Sequence, residues 1–405
     1  MADKIRFGII GCGQRGVGAY GKLLTETFSK EAVLCALADS NYKRLEAAVK
    51  LLNLQGVAVY RDYRELLQDD SIEAVVVATP DFTHEEIAVD ALKAGKQVLC
   101  EKPIATTVEG CQKILSAVSP GQVLAVGFVL RYNRVFTTAK RLIEEGVIGT
   151  VKQIAATDNR QGADYFRRWH RFREKSGGLF NHKSGHLLDI VNWFAGGTPV
   201  RVAALGGVTV FNPGEWQGER CLTCDNRNIC PEYYDLTKEP LNSLYLQAES
   251  VDGYIRDTCV FTSEKTTIDH GTALIEYDNS VKASYNLALY APLDTRQVMV
   301  FGDKGKLELD EAERIIRIRL RHSDDVMEYK VGAEEGGHGG GDIGLMREFI
   351  DCVRKGAAPL ADAVTGALSC LVSLAAEESV HNGGFVSLLD MVRQADAEPQ
   401  LFRLV

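Results

Sequence analysis

The sequence predicts a doubly wound, parallel α/β domain over residues 1–126, followed over 127–405 by an α+β domain with a large, mostly antiparallel open sheet. Three observations carry this expectation. Up to about residue 126, short β-branched runs (IRFGII, AVLCALAD, AVVVAT, QVLC, VLAVGF) alternate with amphipathic stretches such as SNYKRLEAAVKLL and THEEIAVDALKAG. That alternation marks β-α-β units, whose helical crossovers force the strands parallel. Beyond it the runs lengthen and take a period of two, and 405 residues exceed what one ordinary core organises.

The second half opens with a helical segment, LRYNRVFTTAKRLIEEG, and a strand in VIGTVKQIAATDNR. Further strands are expected at TALIEYD, SVKASYNLALY, RQVMVFGD, GKLELD and RIIRIRLRH, with hairpin turns at Asp278-Asn279 and Asp303-Lys304-Gly305. Helical sequence returns at DIGLMREFIDCVRKG and ALSCLVSLAAEESVHNG, the latter stopped by Gly383-Gly384. These last helices are expected to pack back on the first domain. No repeat or low-complexity tract interrupts the pattern.

Charged residues make up 25% of the chain and hydrophobic residues 45%, and no apolar run approaches the roughly 18 residues of a membrane helix. The opening MADKIRFGIIGCGQRG enters a strand at once and leaves no room for a signal peptide, which predicts a cytoplasmic protein. The net charge of −9 and the scattered basic residues argue against a nucleic-acid partner. Ten cysteines in so long a chain are not a disulfide scaffold, and Cys12, Cys35, Cys100 and Cys111 read as small buried hydrophobes in a reducing compartment.

Gly11, Gly13 and Gly16 form G-x-G-x-x-G between the first strand and a helix, with Gln14 and Arg15 inside the turn. Such glycines let backbone approach a pyrophosphate at the helix N-terminus, the arrangement of a Rossmann dinucleotide site. Asp39 ends the second strand, where a carboxylate binds ribose hydroxyls and repels a 2′-phosphate, with Ser40 and Arg44 following. The expected cofactor is NAD, although Arg44 would also suit NADP.

Two further motifs, Thr79-Pro80-x-x-x-His84 and Glu101-Lys102-Pro103, resemble in order and spacing those of the Gfo/Idh/MocA (glucose-fructose oxidoreductase, inositol dehydrogenase, MocA) family, and the resemblance covers essentially the whole chain. It implies that Thr79, Pro80, His84 and Glu101 border the cofactor, that Lys102 lies by nicotinamide and the substrate hydroxyl, and that Pro103 follows a cis peptide. A lysine suits that place because a cation stabilises alkoxide character as a hydride leaves. SGGLFNHKSGHLLDIVNWFAG resembles the family's glycine-rich lead-in to a helix with a catalytic histidine three residues before an aspartate. This implies His186 as general acid or base, oriented by Asp189 one turn on. Where many members carry an aspartate four residues before the histidine, this chain has His182 and then Lys183, so Lys183 is a candidate for the proton relay.

The stretch from Arg160 to Arg173 combines arginines with Tyr165, Arg168, Trp169 and His170. It reads as a sugar-binding wall, a solvated charged loop or an oligomer contact. Arg131, His182 and His338 complete the candidate substrate residues, His338 and Asp342 lying in a glycine-rich run that is either functional or simply flexible. Cys221, Cys224 and Cys230, with Cys259 as a fourth thiolate, read as a structural zinc clip, an iron–sulfur site or unliganded reduced thiols. The resemblance implies NAD-dependent oxidation of a sugar, glycoside or cyclitol hydroxyl. An NAD-dependent glycosidase working by transient oxidation and elimination is the alternative, and a non-catalytic sugar or nucleotide sensor a third reading. The open sheet, which needs one face covered, together with the resemblance points to a homodimer or homotetramer.

Overall fold

A computed structural model describes residues 3–238 and 240–404. The first sheet contains β1 (Ile5–Ile10), β2 (Ala32–Ala38), β3 (Ala58–Tyr60), β4 (Ala74–Val77), β5 (Gln97–Cys100) and β6 (Leu124–Val126). All pair in parallel in the order β3-β2-β1-β4-β5-β6. The near-continuous apolar runs are required here, since helices cover both faces and β4 is buried at every position. The order reverses direction between β1 and β4, which opens a crevice at the carboxyl ends of these strands.

The second sheet holds β7 (Val151–Gln161), β8 (Pro199–Gly207), β9 (His270–Tyr277), β10 (Lys282–Ala288), β11 (Tyr290–Gly302), β12 (Gly305–Asp310), β13 (Ile315–Leu320), β14 (Val326–Lys330) and β15 (Phe385–Ser387). Its order is β14-β13-β12-β11-β7-β10-β9-β8-β15, antiparallel except for the β7–β10 pair. Period-two burial puts Ile154, Ala156, Val298 and Val300 on the covered face of the sheet, where the helix Gly185–Ala195 packs on β7 and the helix Ala363–Asn382 on β8. The opposite face exposes Leu205, Leu274 and Met299. Strands β8, β14 and β15 are absent from the sequence expectation, because each is short or broken by Gly and charged residues.

The C-terminal helices divide between the layers. Gly341–Lys355 completes the core beneath β1, where Phe349 meets Phe7 at 6.0 Å between ring centroids and Leu345 and Met346 join Ile9, Tyr20 and Leu24. Ala363–Asn382 has the length and apolarity of a membrane span, but 67% of that stretch is buried inside the fold, as in a core helix.

The 62 residues between β8 and β9 leave the sheet and return. Arg220 pins this excursion through Glu249 and Asp257, and Trp216 stacks on Phe261 at 5.1 Å. Its far end crosses to the first domain: Asn41 Nδ2 donates to the Ala248 carbonyl at 2.9 Å, and Arg44 pairs with Asp252 at 2.7 Å.

Candidate active site

The glycine turn after β1 has the backbone a dinucleotide site requires. Gly11 has φ +97°, and a Cβ there would lie 2.7 Å from the Ala78 carbonyl. A Cβ on Gly16 would lie 1.9 Å from the Gly11 oxygen, so the helix approaches the strand closely. Asp39 accepts from the Cys12 and Asn41 amides, each at 2.9 Å, and Arg44 bridges it to Asp252. The Gln14 amide, a free donor at the helix N-terminus, is met by the Tyr245 hydroxyl at 2.7 Å. A cleft of about 1550 Å³ runs from this turn past Asp39, Ser40 and Arg44 to Thr79, Pro80 and Lys102. These residues fit NAD, with a carboxylate at the ribose end and an amide-lined turn for the pyrophosphate.

Arg15, His84 and Glu101, expected at the cofactor, line the same cleft and are held there by other side chains and by backbone. Arg15 joins Glu101 at 2.7 Å to Asp342 at 2.9 Å, and the Tyr20 hydroxyl donates to Glu101 at 2.7 Å. Burial alone would raise the Glu101 carboxyl, but Arg15 and Lys102 outweigh it and hold the group below its usual range. The His84 ring lies between the carbonyls of Pro103 (2.7 Å) and Thr79 (2.9 Å), tying the two motifs together.

Lys102 lies two residues past the end of β5 at the mouth of the crevice, and the Lys102–Pro103 peptide is cis. Its Nζ donates to the His182 carbonyl at 2.6 Å, and burial lowers its pKa against the pull of Asp81 and Glu101. His182 and Lys183 sit in a single π-helical turn, Phe180–Ser184, leading into the helix Gly185–Ala195. Such wide turns recur at functional sites, since they displace side chains from the regular helical spiral. The His182 ring meets Asp81 at 2.6 Å, and burial raises that carboxyl to about 7.

Lys183 Nζ donates to Asp158 Oδ2 at 2.8 Å; both residues are buried. Burial pushes the ammonium down to about 7, with Asp158 opposing. Burial also acts to raise Asp158, but Lys183, Arg296 and Arg160 hold it well below the usual carboxylate range. His186 is depressed well below its ordinary value by burial, with Lys102 and His338 adding to the effect, so its imidazole is neutral. Its Nδ1 is buried without a hydrogen-bond partner.

A second cavity of about 550 Å³ opens beside the cleft, lined by Lys183, Arg160 and Arg296 among others. Lys102, Tyr165, His186 and His338 line both spaces, which fixes the point where cofactor and substrate would meet. Of the aromatic loop, Tyr165 stands at this junction, whereas Arg168, Trp169 and His170 line the cofactor cleft. Trp169 and His170 pack at 4.0 Å and His170 and His182 at 4.1 Å. His338, at φ +54°, hydrogen-bonds Asp342 at 3.2 Å.

Two expectations need correction. Asp189 does not orient His186: it is clamped by Arg131 at 2.7 and 2.9 Å, and Arg131 is thereby removed from the substrate wall into a buried ion pair. The zinc clip is not formed either. Among the described residues no three His, Cys, Asp or Glu side chains converge to hold a metal, and Cys221, Cys224, Cys230 and Cys259 are all free thiols. The Cys224 thiol is directed to the Gln217 carbonyl, and burial, with its cysteine neighbours, raises the Cys230 thiol so that it stays protonated.

Sequence reasoning missed Asp81, Asp158, Arg296, Tyr20, Tyr245 and Arg256. Asp158 and Arg296 carry a detectable signal. They are cross-strand partners continuing the inward rows Ile154-Ala156 and Val300-Val298, so a charge stands where the period demands an apolar residue.

The sequence matches the oxidoreductase family's NAD-binding Rossmann domain over residues 5–128 and the family's C-terminal alpha/beta domain over 140–388. The chain belongs to the Gfo/Idh/MocA oxidoreductase family. An oxidoreductase of Bacillus subtilis strain 168 named YteT is 31% identical over 378 residues, 84% of this chain and 88% of that protein. A 2,7-anhydro-N-acetylneuraminate hydratase of Mediterraneibacter gnavus is 35% identical over 163 residues, 40% of this chain and 43% of the relative. The fold is shared with levoglucosan dehydrogenase solved with NADH and levoglucosan, at a TM-score of 0.75 and 19% identity, covering 95% of this chain and all of that one. As a Gfo/Idh/MocA protein the chain is an NAD-binding oxidoreductase.

Proposed function

We propose that this oxidoreductase dehydrogenates a secondary hydroxyl of a sugar, glycoside or cyclitol. The observation that carries the reading is the junction of the two cavities, where Lys102 and His186 border both cofactor and substrate space and Lys183 borders the substrate space. NAD, when bound, supplies the hydride acceptor. Lys102, anchored on the His182 carbonyl, steadies the substrate oxygen as negative charge develops. Lys183 accepts the hydroxyl proton, because a pKa near 7 matches a base to neutral conditions. His186, a neutral ring with an unengaged Nδ1, orients the hydroxyl.

A panel of sugars, glycosides and cyclitols assayed for NAD reduction tests this reading. Lys102→Ala and His186→Ala should each lower turnover while NAD affinity changes less than a few fold, and loss of the proton acceptor in Lys183→Ala should cost about 10²–10⁴-fold. NAD reduction by no member of the panel would overturn it.

The segment over the cofactor turn favours a second reading. Tyr245 covers the Gln14 amide, Arg256 Nη2 donates to Gln14 Oε1 at 2.5 Å, and Asp252 holds Arg44. A cofactor under this strap leaves slowly, which suits chemistry that returns the hydride, as in redox-assisted glycoside cleavage; a relative named as a hydratase catalyses a reaction without net oxidation. Cleaved or hydrated sugar without accumulated NADH would select this alternative.

A further inference from the structure

The cavity assigned above to substrate carries more positive charge than its carboxylates neutralise, in a chain whose net charge is −9. Three of its cations are paired. Lys183 and Arg160 hold Asp158, Arg160 also reaches Asp294 at 3.0 Å, and Arg296 reaches Glu311 at 2.8 Å. Two others are not. Arg134, the first residue of the helix Arg134–Glu144, and Arg314, in the turn between β12 and β13, both line the cavity from opposite elements. Neither makes an ion pair among the described residues, and Glu334 is the remaining carboxylate on the wall. Arg296, 6% exposed, lines the same cavity; its Nε lies 3.6 Å from Asp158 but has no hydrogen-bond partner, nor has Arg160 Nη2.

Arg134 and Arg314 are both exposed, so water solvates them before a ligand enters, and a neutral sugar offers them only hydroxyls in place of that water. An anionic group compensates their charge, and the planar guanidinium fork matches a carboxylate with two parallel hydrogen bonds. Resting on the proposed redox reading, we infer that the sugar substrate carries a carboxylate, as a uronide or other sugar acid does, bound by Arg134 and Arg314. The reacting hydroxyl then faces Lys102, Lys183 and His186, which line the same cavity.

Calorimetric titration of the NADH-loaded chain with matched pairs, methyl glucuronide against methyl glucoside and methyl galacturonide against methyl galactoside, reads the charge separately from the chemistry. The uronide should bind at least tenfold tighter, with the advantage shrinking as salt rises. Arg134→Ala combined with Arg314→Ala should remove that advantage, unchanged NADH affinity showing that the variant is folded. Equal affinity within a pair, or a preference that survives the double substitution, overturns the inference. A 6-O-sulfated galactoside binding tighter than the galacturonide overturns the carboxylate in favour of a sulfate ester. In parallel NAD-reduction assays, tight uronide binding without turnover counts against the redox reading alone, and turnover of the neutral partner with equal affinity counts against the charge assignment alone.

Discussion

Lys183 and Asp158 form an ion pair across 2.8 Å beside the cavity of about 550 Å³, linking the π-helical turn that carries the lysine to the middle of the open sheet. Burial brings the Lys183 ammonium of this pair down to about 7.

That value sets a pH dependence. Below about 7 Lys183 is an ammonium with no lone pair, and above it an amine, so turnover should rise with pH and level off beyond about 7. Lys183→Met should cost about 10²–10⁴-fold in kcat and abolish this limb. A variant keeping the limb would assign the proton to another group, and His186→Ala is then the comparison to make.

Arg131 and Asp189 are joined by two hydrogen bonds inside the second domain. Removing one partner leaves a buried charge alone, and Asp189→Ala should destabilise the fold by about 3–5 kcal/mol. Thermal unfolding measures this. A large loss of turnover with an unchanged Tm would instead restore Asp189 as the residue that positions His186.

Asp39 stands at the ribose end of the cleft with its carboxylate already engaged by two amides and Arg44. NAD should therefore bind more tightly than NADP, and Asp39→Ala should narrow the gap. Titration of both cofactors by fluorescence checks it, equal affinities for the native chain being the contrary result.

On the uncovered face of the second sheet, Phe385, Leu274 and Met299 fall in one cross-strand row through Ala203, Ser284 and Ala155, with Leu205 nearby. We propose that a partner covers this apolar surface. A second copy of the chain is expected there, so light scattering should report a dimer or tetramer at micromolar concentration and a smaller species for Leu274→Glu.

What the sequence revealed and what it hid divide along a physical line. The glycine turn, Glu101-Lys102-Pro103 and the lead-in to His186 are local devices, each specified by neighbours a few residues away, and they could be read directly. The pairs Asp81–His182, Arg131–Asp189 and Gln14–Tyr245 join residues 101, 58 and 231 positions apart. No spacing rule connects such groups, because the packing of sheets and helices brings them together. The cysteine cluster shows the converse, a suggestive local spacing that the backbone does not close into a metal shell.

The helix Gly341–Lys355 has a consequence for biosynthesis. It supplies Phe349 and Met346 to the core that holds Phe7 and Tyr20, and Arg354 reaches Glu31 at 3.2 Å. An emerging nascent chain therefore displays its first parallel sheet with one apolar flank uncovered until more than two hundred further residues have left the ribosome. During that interval the Rossmann half is exposed to chaperones and proteases, and its maturation is timed by translation of a segment belonging, by sequence order, to the other domain.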